Sequence, residues 1–372
     1  MSDEEREEEE KALTVLPASA GGILPGILDE EIERTRAFVR AARADATHRA
    51  YDSDWRVFLA WCEARGLDPL PASPQTVAVF LSVQATGDTT TSPPRPARKV
   101  ATLSRYLAAI NYRHKQARLA TPGDQDGGVL VREAFAGIRR RGRNDKTQKS
   151  AADGERLRAM LATIVGDDVR SARDRALLAL GMAAALRRSE LVALQFDDIL
   201  FRPEGLSVLI RSSKTDQTGE GVSIAVPEGS RIRPKALLLE WLRVGRVSDG
   251  PLFRALVEVR EKVRDPETRE PMLDPVTGKA QFRRLGDRVQ SGAMSDRTVA
   301  LVVKARAEAA GLDPALFAGH SLRSGFLTEA ARQPNANIFK MREVSRHKSL
   351  DILAAYVREH DKFRDHAGQR FL

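Results

Sequence analysis

Along most of this chain apolar residues recur every three or four positions, and at only one place do they alternate. After a short run through Ile32, Phe38 and Val39, the stretch 51–62 sets Tyr51, Trp55, Phe58, Leu59 and Cys62 at helical spacing, with Gly66 as a stop. Residues 74–85 and 99–118 continue the pattern. The second of these puts Leu103, Tyr106, Leu107 and Ile110 on one stripe and a string of bases, among them Lys99, Arg105, Arg113 and Lys115, on the opposite side. Helices with one apolar stripe must bury it against one another. Alternation at 206–211 and 222–226, around a turn at 213–221, adds a small antiparallel β-sheet. The expected fold class is mainly α.

A length of 372 residues fits two domains, and the charge pattern suggests where they divide. Residues 1–29 read as an acidic flexible tail, since the first eleven hold seven acids against two bases. A net charge of +9 and a pI near 9.8 therefore understate how basic the rest is. Such an excess favours a polyanionic partner, because each phosphate neutralised releases counterions. The first helical domain is expected over 30–138, its last helix at 129–138. Then 139–149 packs six bases into eleven residues with no large apolar side chain. This reads as a basic linker over 139–150, with Arg139, Arg140, Arg141, Arg143 and Lys146 lying across phosphates. The second domain is expected over 151–372, with the stretch 256–292 showing little period of either kind. Cys62 is the sole cysteine, which excludes an intramolecular disulfide and a cysteine-based zinc site. With no apolar run of membrane-spanning length and an N-terminus unlike a basic secretory signal, the expected place is the cytoplasm or nucleoid, away from any membrane.

The residues that carry chemistry lie in the second domain. A phosphodiester under attack builds charge on its nonbridging oxygens, which guanidinium forks match well. Arg187, at a helix-to-helix junction, and Arg323, in the run Gly319-His320-Ser321-Leu322-Arg323-Ser324-Gly325, are the candidate clamp. His320 and Arg323 share a helix face at i, i+3. A leaving alkoxide needs a proton, and Lys214 in the hairpin turn is a credible general acid. The phenol of Tyr356, nine positions beyond His347, is the candidate nucleophile, with His320 or His347 as proton acceptor. Glu190 is placed to orient Arg187, and Ser189 to cap the helix that follows.

In their order and spacing, Arg187, Lys214, the His320–Arg323 box and Arg346-His347-Lys348-Ser349-Leu350 through Tyr356 resemble the tyrosine recombinases, the phage integrase and Cre-like family. Residues 55–66 are similar to the first domain of Cre-like enzymes. Two departures stand out: Arg346 replaces a common Gly, read as a local backbone difference, and 256–292 exceeds the connection in compact members. The resemblance implies a two-domain DNA clamp, with a helical core-binding (SAM-like) domain and a mostly helical catalytic domain. It implies a dimer on each inverted-repeat site of double-stranded DNA and a homo-tetramer over two sites. Tyr356 would form a 3′-phosphotyrosyl link and strands would exchange through a Holliday junction, with no cofactor and no metal. The short tail after Tyr356, with Phe363 and Phe371, would dock on a neighbour. The acidic tail is too short for a separate arm-binding module. A type IB topoisomerase-like strand transferase and a non-catalytic sequence-specific DNA-binding regulator are the alternatives.

Overall fold

The structure, a computed structural model, describes residues 30–31, 34, 45–142, 149–211, 221–333 and 336–360. The tail 1–29, the positions Ile32, Phe38 and Val39, and Arg143, Lys146, Lys214, Phe363 and Phe371 lie outside the described residues. The chain divides into two compact units, Met1–Thr147 and Gln148–Leu372.

The first unit holds α1 (Asp45–Glu63), α2 (Pro74–Thr86), α3 (Val100–Gln116) and α4 (Val129–Arg141). Ser73 starts α2 by accepting the Thr76 N–H at 3.1 Å, and Pro74 takes a first-turn position that needs no donor. The apolar stripes meet around Phe80, whose ring lies 5.0 Å from Phe58, 5.4 Å from Trp61 and 5.6 Å from Tyr106. These tilted and edge-on contacts suit the aromatic quadrupole. Leu103, Ile110 and Val131 close the core. His114 is fully buried beside it. Its Nε2 accepts the Ala72 N–H at 2.9 Å and its Nδ1 donates to the Ile110 carbonyl at 2.8 Å, a pattern only the neutral ring can make.

Two of the bases on α3 that were expected to meet phosphates are engaged in ion pairs within the first unit. Arg105 donates twice to Asp54, at 2.5 and 2.9 Å, and Arg113 donates to Asp52 at 2.8 Å. Both bind α3 to α1, and the partner acids lie on another helix, which a single-helix pattern does not reveal. Lys115 is exposed. The helix before the basic stretch is also longer than its apolar spacing predicts. Arg139, Arg140 and Arg141 form the exposed last turn of α4 rather than a linker, because cations are favoured among the open carbonyls of a helix C-terminus.

In the second unit α5 (Gly154–Ala162) is followed by α6 (Val169–Ala183), buried along most of its length, and the short α7 (Arg188–Ala193). A three-stranded antiparallel sheet comes next: β1 (Ile199–Arg202), β2 (Gly205–Ile210) and β3 (Val222–Pro227), with Val208 opposite both Ile199 and Ile224. Four residues of β1 are too few to display alternation. Helix α8 (Pro234–Gly245) packs on α6, and its buried Trp241 donates to the Leu252 carbonyl at 2.8 Å.

The stretch without a legible period is an antiparallel ribbon of β4 (Arg254–Lys262) and β5 (Phe282–Ala293). Both strands are largely exposed, so no buried face imposes alternation. Asp287 anchors the ribbon, its side chain 1% exposed, by accepting from Arg170 at the start of α6 and from Arg284. Helix α9 (Asp296–Ala309) starts at Ser295, which accepts the Thr298 N–H. Then α10 (Ser321–Arg332), α11 (Ile338–Ser345) and α12 (Leu350–His360) pack together through Leu327, Ala331, Met341 and Leu353. Among the described residues no helix is long and apolar enough to cross a membrane.

Candidate active site

Helix α6 ends in a turn at Ala184–Leu186, with Ala185 in the left-handed region at φ +47°. This reversal makes Arg187 the cap residue of α7. The cap differs from the expected Ser189: Glu190, at the third helical position, reaches back and accepts the Arg187 N–H at 2.8 Å. The same carboxylate accepts from the Arg187 guanidinium, which remains partly open to solvent.

Arg323 leaves the first turn of α10 and is 1% exposed. It donates to the Ala185 carbonyl at 2.6 Å, to the Ser345 carbonyl, and to Nδ1 of His347 at 3.3 Å. One buried guanidinium thus ties the Arg187 turn to the His347 turn. Its pKa falls to about 9, first through burial and then through Arg187 and Arg346. Two glycines of the box allow close packing on either side of Arg323 in the sequence. A Cβ on Gly325 would lie 2.0 Å from the Ala152 carbonyl oxygen, and one on Gly319 would lie 2.1 Å from the Arg188 stem.

His347 follows α11 and is half-buried. A guanidinium only donates, so Nδ1 of His347 is an acceptor and the neutral ring carries its proton on Nε2. Ser345 Oγ lies 2.9 Å from the same Nδ1. Burial, followed by the charges of Arg323, Arg187, His320 and Arg346, pushes the His347 pKa down to about 4. The ring is therefore a neutral Nε2–H donor at neutral pH. His320 stands at the cap of α10 with its side chain reaching solvent. Partial burial of the ring lowers its pKa below the ordinary histidine value, and Arg323, Arg187 and Arg188 repel its charged form. It too is a neutral ring, free to accept a proton.

Tyr356 lies on α12, half-buried against the Leu327, Met341 and Leu353 cluster. Burial raises its pKa above the ordinary phenol value, and Arg323 pulls the other way. Unaided, the phenol stays protonated at neutral pH and needs an acceptor to react. Of the six expected catalytic residues, Arg187, His320, Arg323, His347 and Tyr356 lie in the second unit, where Arg323 bonds to His347 and acts on the other three through its charge. Lys214 lies outside the described residues.

One member of the site escaped the sequence reading. Arg346 is more than a local backbone difference: its guanidinium is buried and donates to Glu190 Oε2 at 2.8 Å. Glu190 therefore lies between two guanidiniums. Burial pushes its carboxyl upward, but Arg346 and the Arg187 contacts outweigh that and hold it below the usual carboxylate range. The available signal was a cation next to His347 at a helix end, where a glycine suits the backbone better.

Residues 153–362 match the phage integrase family. Over 331 residues the chain is 33% identical to the integrase/recombinase xerD homolog of Selenomonas ruminantium, spanning 88% of this chain and 86% of that protein. It is 27% identical over 327 residues to a tyrosine recombinase of Synechococcus elongatus, 84% of this chain and 85% of the other. Among solved structures, the Tn1549 transposon integrase in complex with transposon right end DNA has a TM-score of 0.53 at 13% identity, covering 88% of this chain and 93% of that one. A lambda integrase dimer bound to a COC′ core site has a TM-score of 0.52 at 15% identity, over 90% and 77% of the two chains. At such identities the structures speak for a shared fold, while the sequence matches carry the kinship: this chain belongs to the phage integrase family of tyrosine recombinases.

Proposed function

We propose that this protein is a site-specific DNA recombinase that cleaves and rejoins duplex DNA through Tyr356. The observation that carries this reading is the Arg323 guanidinium, bonded at once to the Ala185 carbonyl beside Arg187 and to His347, and acting electrostatically on the Tyr356 phenol. It gathers residues from four separate sequence segments.

In the proposed step, the Tyr356 oxygen attacks the scissile phosphorus and passes its proton to neutral His320. Arg187 and Arg323 take the charge that grows on the nonbridging oxygens, and the Nε2–H of His347 donates to one of them. The geometry supports His320 rather than His347 as acceptor, because Nδ1 of His347 already receives Arg323 and its other nitrogen carries the proton. Lys214 protonates the departing 5′ oxygen. The product is a 3′-phosphotyrosyl link and a free 5′-hydroxyl. A 5′-hydroxyl from a second strand reverses the step on the same phosphorus, so the bond energy is retained without ATP. On this reading dimers occupy inverted-repeat sites in the cytoplasmic nucleoid, and a tetramer exchanges strands between two sites through a Holliday junction.

A suicide DNA substrate, nicked so that the 5′-hydroxyl fragment diffuses away, tests the nucleophile. The protein should be trapped as a covalent adduct mapping to Tyr356, and Tyr356→Phe should bind the same DNA without forming one. An adduct of undiminished yield in Tyr356→Phe refutes the assignment. Relaxation of supercoiled plasmid lacking any recombination site would favour a topoisomerase-like activity instead.

A further inference from the structure

Arg346 adopts φ +56° and ψ 40°, a left-handed conformation that a glycine enters without steric cost. The arginine that stands there turns its side chain into the protein. Besides Glu190, it donates to the Val344 carbonyl at 2.5 Å and lies 3.4 and 3.3 Å from the Ala184 and Ala185 carbonyls. The Ala185 carbonyl is the one Arg323 also uses. Arg346 therefore touches the supports of both guanidiniums of the proposed clamp while being too buried to meet DNA.

Glu190 is 4% exposed, and on its own a buried carboxylate demands a cation. Were Arg187 its sole partner, any turn of Arg187 toward a phosphate would strand that charge. With Arg346 fixed on Oε2 and Arg187 on Oε1, the carboxylate stays neutralised whichever way Arg187 faces. We propose that Arg346 is a positioning residue for strand cleavage, holding Glu190 and the Ala185 carbonyl so that Arg187 can engage a DNA phosphate without leaving a buried carboxylate unpaired. This rests on the site proposed above and adds a residue to it.

The test is single-turnover covalent trapping on the suicide substrate, with DNA affinity and thermal unfolding measured alongside. Arg346→Gly removes the guanidinium and suits the backbone. It should keep DNA affinity within about threefold and slow trapping by about tenfold to a hundredfold, a loss in rate rather than in binding. Arg346→Lys, which returns one cation to Glu190, should recover part of the rate. In a Glu190→Gln background Arg346→Gly should slow trapping little further, because its partner is already neutral. Wild-type trapping by Arg346→Gly, or a slowing that multiplies undiminished with that of Glu190→Gln, overturns the proposal. Should Arg346→Gly fail to fold, Arg346→Lys and Arg346→Met are compared: the lysine variant must be the faster, and equal rates overturn it. A wild-type adduct that survives Tyr356→Phe marks a different failure, that of the site assignment, and removes the inference with it.

Discussion

The two arginines of the proposed clamp differ in what else they hold. Arg187 is partly solvent-exposed, and deleting its side chain leaves Glu190 still paired with Arg346. Arg323 is buried, and deleting it leaves the Ser345 carbonyl short of a donor. A buried polar group left unpaired costs about 1–3 kcal/mol. Arg187→Ala and Arg323→Ala should each slow cleavage by about a hundredfold or more, the loss expected when one transition-state charge donor is removed. Only Arg323→Ala should also unfold at clearly lower temperature. Trapping rates and thermal melts of the two variants decide this. A melt lowered as far by Arg187→Ala would mean that Arg346 does not hold Glu190 by itself.

At the scale of elements, the buried His114 joins α3 to the residue before the α2 cap, and its two hydrogen bonds fix the ring in its neutral state. Burial drives its pKa below 6.5, with the bond donated to the Ile110 carbonyl opposing. The unfolded chain then binds the proton more readily, so the contribution of His114 is whole above pH 6.5 and is lost as the pH falls below it toward the depressed folded value. His114→Phe leaves the Ala72 N–H without its acceptor and should destabilise the first unit by about 1–3 kcal/mol at neutral pH. Its difference from wild type should shrink on acidification. Hydrogen exchange of α3 amides across that range reads both effects, and a difference independent of pH contradicts the titration. The helices of the first unit and the β2–β3 hairpin were legible because each has one buried face, as Leu103, Tyr106 and Ile110 show on α3. The β4–β5 ribbon was not, since Val257, Phe282 and Leu285 are exposed and nothing forces their neighbours to alternate with them. The chemistry proposed for Tyr356, His347 and Arg323 could be read from type and spacing. Arg346 could not, because its meaning lies in a carboxylate 156 residues away in sequence.

For the whole molecule the open question is where sequence-independent affinity resides. Arg105 and Arg113 are paired with acids of α1, which weakens the case for α3 as the main phosphate contact. Arg139, Arg140 and Arg141 are exposed on the last turn of α4, and Arg143, two positions on in the sequence, lies outside the described residues. The three exposed guanidiniums of this last turn are suited to the DNA backbone, where each phosphate neutralised releases counterions. Replacing Arg140, Arg141 and Arg143 with Gln removes three charges, and Gln retains nearly the same helix propensity as Arg in the last turn of α4. Specific and nonspecific DNA should then bind more weakly in the same proportion. The slope of log affinity against log salt should flatten by roughly 0.9 for each phosphate that is no longer neutralised. Cleavage at saturating protein should stay as it was, since none of the three belongs to the site. Titrations at several salt concentrations on site and non-site duplexes measure both quantities. An unchanged slope would show these arginines to be merely solvated, and would shift the search for affinity to bases elsewhere, beginning with the exposed Lys115 of α3.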